Sequence, residues 1–386
     1  MFSRLSKTPS LLTKTSLSPF STTTFYSKNL QVEPTTAPKP LPKFDSTLLF
    51  GHNPSDHLFE VDWDSQEGWG TPRIRQYGPF AMSPLNTTLH YAIQCFEGMK
   101  AFYGVDKKIR LFRPDKNMSR FRGSCNRIAL PDFEEKELLE CLKELVKVEK
   151  RWIPDAPDFS LYIRPTAISM NDALGVRPPE KSKIYIVSTP VGPYFSSGFK
   201  PIKLYAEKQY IRAFPGGFGQ YKLGANYGPT IMVSKEAEKR GFNQILWLTD
   251  NKITEIGASN IFFLIKNEDG EKELVTAPID GLSLPGVTRD SVLGLAREMK
   301  EFKVSERYLK IEDFTQMVKE NRVLEAFGAG TAMTVAPVEL IHYDGVDYKV
   351  PIDPELKAGE LTIRLSKMIK DIQYGVVDHP WGVIVA

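Results

Sequence analysis

Cysteine is scarce in this chain: Cys95, Cys125 and Cys141 are its only three in 386 residues, an odd number with no short metal-type spacing. That pattern excludes a disulfide framework, argues against a metal site and suits a reducing compartment. Long apolar runs are lacking too. The best of them, such as 261–265, are strand-sized and far below the roughly 20 apolar residues of a membrane-spanning helix. Acidic residues are absent before Glu33, whereas Arg4, Lys7, Lys14 and Lys28 precede it. With those four set aside, 46 of the 50 basic residues remain against 47 acidic ones, so the net charge of +3 belongs to the first segment. The rest carries no basic stripe of the kind that phosphate-backbone binding requires, and nucleic acid is not expected as a partner.

What the first segment does have is serine and threonine, with Phe2 and Leu5 on one side of a short helical pattern that also carries Arg4 and Lys7. This is the composition of an organelle transit peptide, without the continuous apolar core of a secretory signal. A mitochondrial matrix destination is expected first, with plastid or cytoplasm behind it; the alternative is a flexible tail that directs no import. Four prolines between Pro34 and Pro42 read as an extended spacer. Residues 1–45 are therefore read as transit peptide and linker.

At this length two domains are expected. Strand-like runs at 58–63, 108–112, 160–165 and 183–189, with a helical pattern at 133–151, indicate a mixed α/β (α+β) unit over 46–190. The Gly-, Ser- and Pro-containing stretch within 191–201 reads as an interdomain linker. In 202–386, a strand at 202–210 leads to a glycine-rich loop and a helix at 226–240 stopped by Gly241. Short runs at 244–249, 253–257 and 260–265 follow as an antiparallel meander. Leu361, Leu365, Met368, Ile369 and Ile372 recur at helical spacing and form a closing helix.

The glycine-rich loop holds the main chemical signal. Lys222 stands in Gly216-Gly-Phe-Gly-Gln-Tyr-Lys222-Leu-Gly224, where glycine permits close backbone approach to whatever the amine holds. An isolated loop lysine would ordinarily be a solvated surface group. Glu255 lies in the apolar run Ile253-Thr-Glu-Ile-Gly257, where a buried carboxylate demands a cationic partner; on the solvated face of the strand it would demand none. A lysine that condenses with a carbonyl, together with a carboxylate that keeps a ring nitrogen protonated, points to pyridoxal 5'-phosphate. Val287 and Thr288 follow Pro285-Gly286 at the start of a helical pattern, where free amides and the helix dipole favour a phosphate. The turn Gly328-Ala-Gly-Thr331-Ala332 offers further amides and a hydroxyl.

Tyr221-Lys-Leu-Gly-Ala-Asn-Tyr-Gly228 and Thr254-Glu-Ile-Gly-Ala-Ser-Asn260 resemble the fold-type-IV pyridoxal-phosphate transaminases, and among them the branched-chain-amino-acid aminotransferases. Phe96-Glu-Gly-Met-Lys100, Leu161-Tyr-Ile-Arg-Pro165, Val191-Gly-Pro-Tyr-Phe195, Leu284-Pro-Gly-Val-Thr-Arg289 and Asp371-Ile-Gln-Tyr-Gly375 continue the resemblance in order. It implies a smaller α/β domain, a larger pseudo-barrel domain and a homodimer. It implies Lys222 as the catalytic lysine, Tyr227 beside the cofactor's phenolic oxygen and Glu255 at its ring nitrogen. Arg120 would bind the phosphate, with Arg122 as a rival because Ser119-Arg-Phe-Arg-Gly123 departs from the family's wording. Phe50, Tyr91, Phe96, Tyr162, Tyr194 and Ala258 would form the substrate pocket, with Arg164 for the distal carboxylate of glutamate. Thr331, Ala332 and Tyr91 would receive the α-carboxylate. Met333 and Ala336 stand where some animal members carry a redox Cys-x-x-Cys, so that switch is not expected. The activity implied is transamination of Leu, Ile and Val with 2-oxoglutarate. A D-amino-acid transaminase, an aminodeoxychorismate lyase or a catalytically silent binding paralogue are the alternatives.

Overall fold

In strand Lys181–Val191, buried Ile184, Ile186 and Ser188 alternate with less buried Tyr185, Val187 and Thr189. Its antiparallel neighbour Ser160–Ser169 sets Thr166 opposite Tyr185, Arg164 opposite Val187 and Tyr162 opposite Thr189. Because the side-chain period of a strand is two, these six residues share one face of the ladder. Leu161, Ile163, Ala167, Ile184 and Ile186 turn the other way into a core shared with helices Pro114–Arg127 and Glu135–Val148. The computed structural model describes residues 24–45, 47–193 and 199–386.

These two strands are the middle of a 10-stranded sheet that is antiparallel except for the parallel pair of Gln31–Val32 with Arg73–Gln76. A 9-stranded sheet holds the strands from Ile202–Glu207 to Val346–Lys349. Six of its strands close on themselves: Lys252–Ile256, Gln244–Thr249, Ile202–Glu207, Thr334–Tyr343, Val323–Gly330, Ser259–Lys266 and back to Lys252–Ile256. This is a barrel, in which closure leaves no free edge among the six.

Strand Ser259–Lys266 explains why its sequence reads as an unbroken apolar run. Ile261, Phe263 and Ile265 pack with Leu204, Leu246 and Val338. Phe262 and Leu264 face the opposite way, against helices Val287–Met299 and Glu360–Gln373 through Val292, Ala296, Leu365 and Ile369. Both faces are covered, and each buried Phe or Leu contributes about 1.5–3 kcal/mol.

Three expectations change. The segment 24–45, read as leader and spacer, belongs to the folded body: Phe25 is buried edge-on against Trp69, with ring centroids 5.4 Å apart. Ser27 donates to Glu137 through its amide and hydroxyl at 2.6 and 2.7 Å, and the Lys39 amide donates to Asp56 at 2.8 Å. Apolar burial and paired polar groups hold the segment where its proline content alone suggested a free chain. The last strand, Gly382–Ile384, returns to the first sheet beside Ile109–Phe112, although it follows the barrel in sequence. The helix expected at 226–240 is split into a short 3-10 turn, Gly224–Asn226, and a helix Thr230–Lys239, because Pro229 lacks the N–H a continuous helix would need. The transit segment up to residue 23 lies outside the described residues. Among the described residues, no helix is long and apolar enough to cross a membrane.

Candidate active site

Between the exposed face of the Ser160–Ser169 and Lys181–Val191 ladder and one end of the barrel lies a cavity of about 680 Å³. Lys222 reaches it from the glycine-rich loop. That loop is pinned by the Lys222 amide to Ser124 Oγ at 3.0 Å and by the Phe96 amide to the Lys222 carbonyl at 3.1 Å. The Lys222 amine lies 3.1 Å from the Tyr227 hydroxyl and 5.0 Å from the centroid of Phe96. Its side chain keeps partial exposure because it opens on the cavity, while the surrounding protein desolvates the amine. Burial, with the Arg120 charge adding to it and Glu97 opposing, lowers Lys222 to about 8. Burial pushes the Tyr227 hydroxyl up to about 12, so it stays protonated at neutral pH.

Glu255 lies just behind the cavity lining, 2% exposed, on strand Lys252–Ile256. Its Oε1 accepts from the Leu284 amide at 2.7 Å and from Asn260 Nδ2 at 3.0 Å, and its Oε2 pairs with Arg212 Nη1 at 3.1 Å. Burial raises its pKa, and Arg212 is the strongest opposing influence. The register left open by the sequence is thus decided: Glu255 points inward.

Arg120, on helix Pro114–Arg127, lines the cavity. Its Nε and Nη2 donate to the two oxygens of Glu97 at 2.7 and 2.8 Å, and its Nη1 donates to the Pro285 carbonyl at 3.0 Å. Burial pushes Glu97 up, but Arg120, with Lys222 and Asn117 adding to it, offsets this and keeps the carboxyl below its ordinary value. Arg122 turns away and is held by Asp132 at 2.6 and 2.5 Å. Val287 and Thr288 line the cavity as the first residues of helix Val287–Met299, whose cap Gly286 provides no side-chain cap bond. A Cβ at Gly286 would collide with Asn260 Oδ1, so glycine brings the helix end against the cavity wall.

Phe50, Phe96, Tyr162, Arg164, Ala258, Thr331 and Ala332 also line the cavity. Phe50 sits edge-on to Tyr162 at 4.9 Å, and Arg164 Nη2 donates to the Tyr162 hydroxyl at 2.9 Å while its guanidinium lies 4.5 Å from the Phe96 centroid. Arg164 Nε is buried with no hydrogen-bond partner among the described residues.

One expected residue is not brought there. Tyr91 lies outside the cavity of its own chain, with its hydroxyl accepting from the Gly175 amide at 3.1 Å. The short helix Thr87–Tyr91 is tied to strand Ser160–Ser169 by Thr88 Oγ1 donating to the Ser169 carbonyl at 2.9 Å, and this carries Tyr91 toward the 175 loop. Tyr194 falls outside the described residues. Three residues that matter to the geometry were not singled out from the sequence: Glu97, Arg212 and Asn260. Glu97, a carboxylate amid apolar residues, was the readable signal among them.

The family model "Amino-transferase class IV" matches residues 94–341. A branched-chain-amino-acid aminotransferase of Dictyostelium discoideum is 49% identical over 339 residues, covering 88% of this chain and 90% of the relative. A mitochondrial one of Schizosaccharomyces pombe is 46% identical, covering 89% and 82%, and a cytosolic one of Mus musculus is 46% identical, covering 93% of each. Among solved structures, the holo-form of the branched-chain amino acid aminotransferase from Thermobaculum terrenum has the same fold, with a TM-score of 0.68 and 22% identity over 86% of this chain and 99% of that one. With the cavity and its lysine in place, the family match and the identity to these relatives mean that the chain belongs to the class IV aminotransferases and, within them, to the branched-chain-amino-acid aminotransferases.

Proposed function

We infer that the protein is a pyridoxal 5'-phosphate-dependent transaminase that moves the amino group of L-leucine, L-isoleucine or L-valine to 2-oxoglutarate, yielding branched 2-oxo acids and L-glutamate. The observation that carries this reading is the desolvated Lys222 amine, lowered to about 8 and set 3.1 Å from the Tyr227 hydroxyl at a cavity backed by the buried Glu255.

The residues fit the cofactor. A lysine with a lowered pKa has the free amine that attachment needs, and Glu255, paired with Arg212 at 3.1 Å, is the anion that would hold a protonated ring nitrogen. Arg120, the amides of Val287 and Thr288 at the helix start, and Thr331 would receive the phosphate. When bound, pyridoxal 5'-phosphate supplies an aldehyde and an electron-withdrawing ring that accepts charge from the substrate's Cα–H bond.

Lys222 Nζ takes the Cα proton and later returns one, as general base and acid. The Tyr227 hydroxyl, protonated at working pH, donates toward the cofactor oxygen. Phe50, Phe96, Tyr162 and Ala258 exclude water and discriminate by volume, at about 1–3 kcal/mol per methylene, so all three branched substrates are accepted. Arg164, a cation lining the cavity, would hold the distal carboxylate of glutamate, and the turn amides at Thr331 and Ala332 the α-carboxylate.

A homodimer follows from exposed apolar residues that a lone chain leaves uncovered. Leu89, Leu174 and Val176 are 62%, 56% and 81% exposed around Tyr91, a surface suited to a second copy whose site Tyr91 would border. We read two domains joined by 191–201: the expected 46–190 unit extended by residues 24–45 and by the last strand, Gly382–Ile384, and the remainder of 202–386. The acid-free first 23 residues, with Arg4, Lys7 and Lys14, direct the protein to the mitochondrial matrix; fused to a reporter, they should drive import.

The decisive test is the Lys222→Ala protein. It should lose transamination and the site of borohydride-trapped cofactor, located in the wild type by peptide mapping; normal turnover in the variant would end this reading. L-leucine accepted in preference to D-alanine separates it from a D-amino-acid transaminase.

A further inference from the structure

The turn at 331–333 joins strands Val323–Gly330 and Thr334–Tyr343, with Gly330 paired to Thr334. Thr334, a β-branched residue, sits in the left-handed region at φ 54°, a conformation that neighbouring contacts must sustain. The turn has open space on both sides. In front, Gly330, Thr331, Ala332 and Met333 line the cavity of about 680 Å³. Behind, Ala332, Met333 and Thr334 line a second cavity of about 350 Å³. Close packing is what ordinarily fixes a turn; here Met333 packs against the barrel core, while open space borders Ala332 on both sides.

One side chain grips it. Lys100, on strand Met99–Tyr103 of the other sheet, lines the rear cavity, and its Nζ donates to the Ala332 carbonyl at 2.9 Å. No peptide among the described residues is cis, so the Met333 N–H points opposite to the Ala332 carbonyl, away from Lys100. A cationic donor on the carbonyl also polarises the peptide and makes that N–H a stronger donor.

We propose that Lys100 is a positioning residue for substrate, holding the 331–333 turn from the rear so that its amides face the carboxylate of the amino or oxo acid. The role deepens the transaminase reading and rests on it. Lys100 touches neither reacting atom nor cofactor; it acts through the peptide.

The test compares holo-protein with Lys100→Met and Lys100→Arg. In Lys100→Met, KM for both L-leucine and 2-oxoglutarate should rise about ten-fold, with kcat within about two-fold of wild type. Calorimetric Kd for a branched carboxylic acid lacking the amino group should rise in parallel, while Tm stays put. Lys100→Arg, which retains a cationic donor, should recover most of the loss. Unchanged KM and Kd in Lys100→Met would overturn the proposal, as would a fall in Tm, the mark of a purely structural strut. Calorimetry needs no turnover. A wild type that fails to transaminate would therefore count against the functional reading, while carboxylate binding still decides the role of Lys100.

Discussion

Arg212 Nη1 lies 3.1 Å from Glu255 Oε2, and the two side chains are 6% and 2% exposed. Removing one member of a buried pair leaves the other charge uncompensated, at about 3–5 kcal/mol. Arg212→Met should destabilise the apo-protein by that order. Glu255 is already raised above its ordinary 4.5 by burial, and without Arg212 it rises further. An acid whose folded pKa is raised binds its proton more tightly when folded, so the variant's stability should fall as pH climbs from about 4.5 through the raised value. Urea unfolding across that range checks the slope, and adding Glu255→Gln should restore part of the loss.

Lys222 carries the opposite signature. Its folded pKa of about 8 lies below the ordinary 10.5, so between those values the unfolded chain binds more protons and stability rises with pH. At pH 7 the penalty is fully present, about 3 kcal/mol by linkage. The apo form of Lys222→Met should therefore be more stable than apo wild type at pH 7, with the gap closing toward pH 10.5. Denaturant midpoints of both apo-proteins at several pH values test this; a less stable variant at pH 7 contradicts the lowered pKa.

Arg164 has a buried Nε without a partner among the described residues, beside the Phe96 and Tyr162 rings. Arg164 also lines the cavity, where its guanidinium can meet a ligand carboxylate in a charge-assisted bond. Arg164→Met should raise KM for 2-oxoglutarate by about ten-fold or more, and change KM for leucine far less. Equal effects on both substrates would remove Arg164 from carboxylate recognition.

Phe25 is 3% exposed against Trp69, so it is packed into the folded body. Phe25→Ala should cost about 3 kcal/mol, the usual figure for a buried aromatic truncated to alanine. Calorimetry of wild type and variant distinguishes a packed anchor from a passive tail.

The residues legible in the sequence were those whose signal is local. Lys222 and Tyr227 stand five positions apart in one glycine-rich stretch, and Val287 and Thr288 open a helix whose start is marked by Pro285-Gly286. The strands at 160–169, 181–191 and 259–266 were visible through their apolar content, though their ends were not. Arg212 could not be read, because its importance arises from a partner 43 positions away that only folding brings within 3.1 Å; Glu97 carried a signal as a carboxylate amid apolar residues, but its pairing with Arg120, 23 positions on and 2.7 Å away, is set by folding. Arg120 was preferred by resemblance, with Arg122 as its rival; the two separate in the fold because residues two apart on a helix point in different directions, one to Glu97 and one to Asp132.

By itself the chain of residues determined the chemistry available: a lysine and a carboxylate in apolar surroundings, a phosphate-suited helix start, and alternation that commits each strand to a face. Those properties depend on covalent structure and on periods of two or 3.6 residues, which act over short distances. Tertiary structure decided what faces what. It closed six strands into a barrel, drew residues 24–45 and the last strand onto the first sheet, and moved Tyr91 out of its own cavity. Such outcomes depend on burial and pairing between segments far apart in the chain, and no local pattern encodes which distant surface will satisfy them.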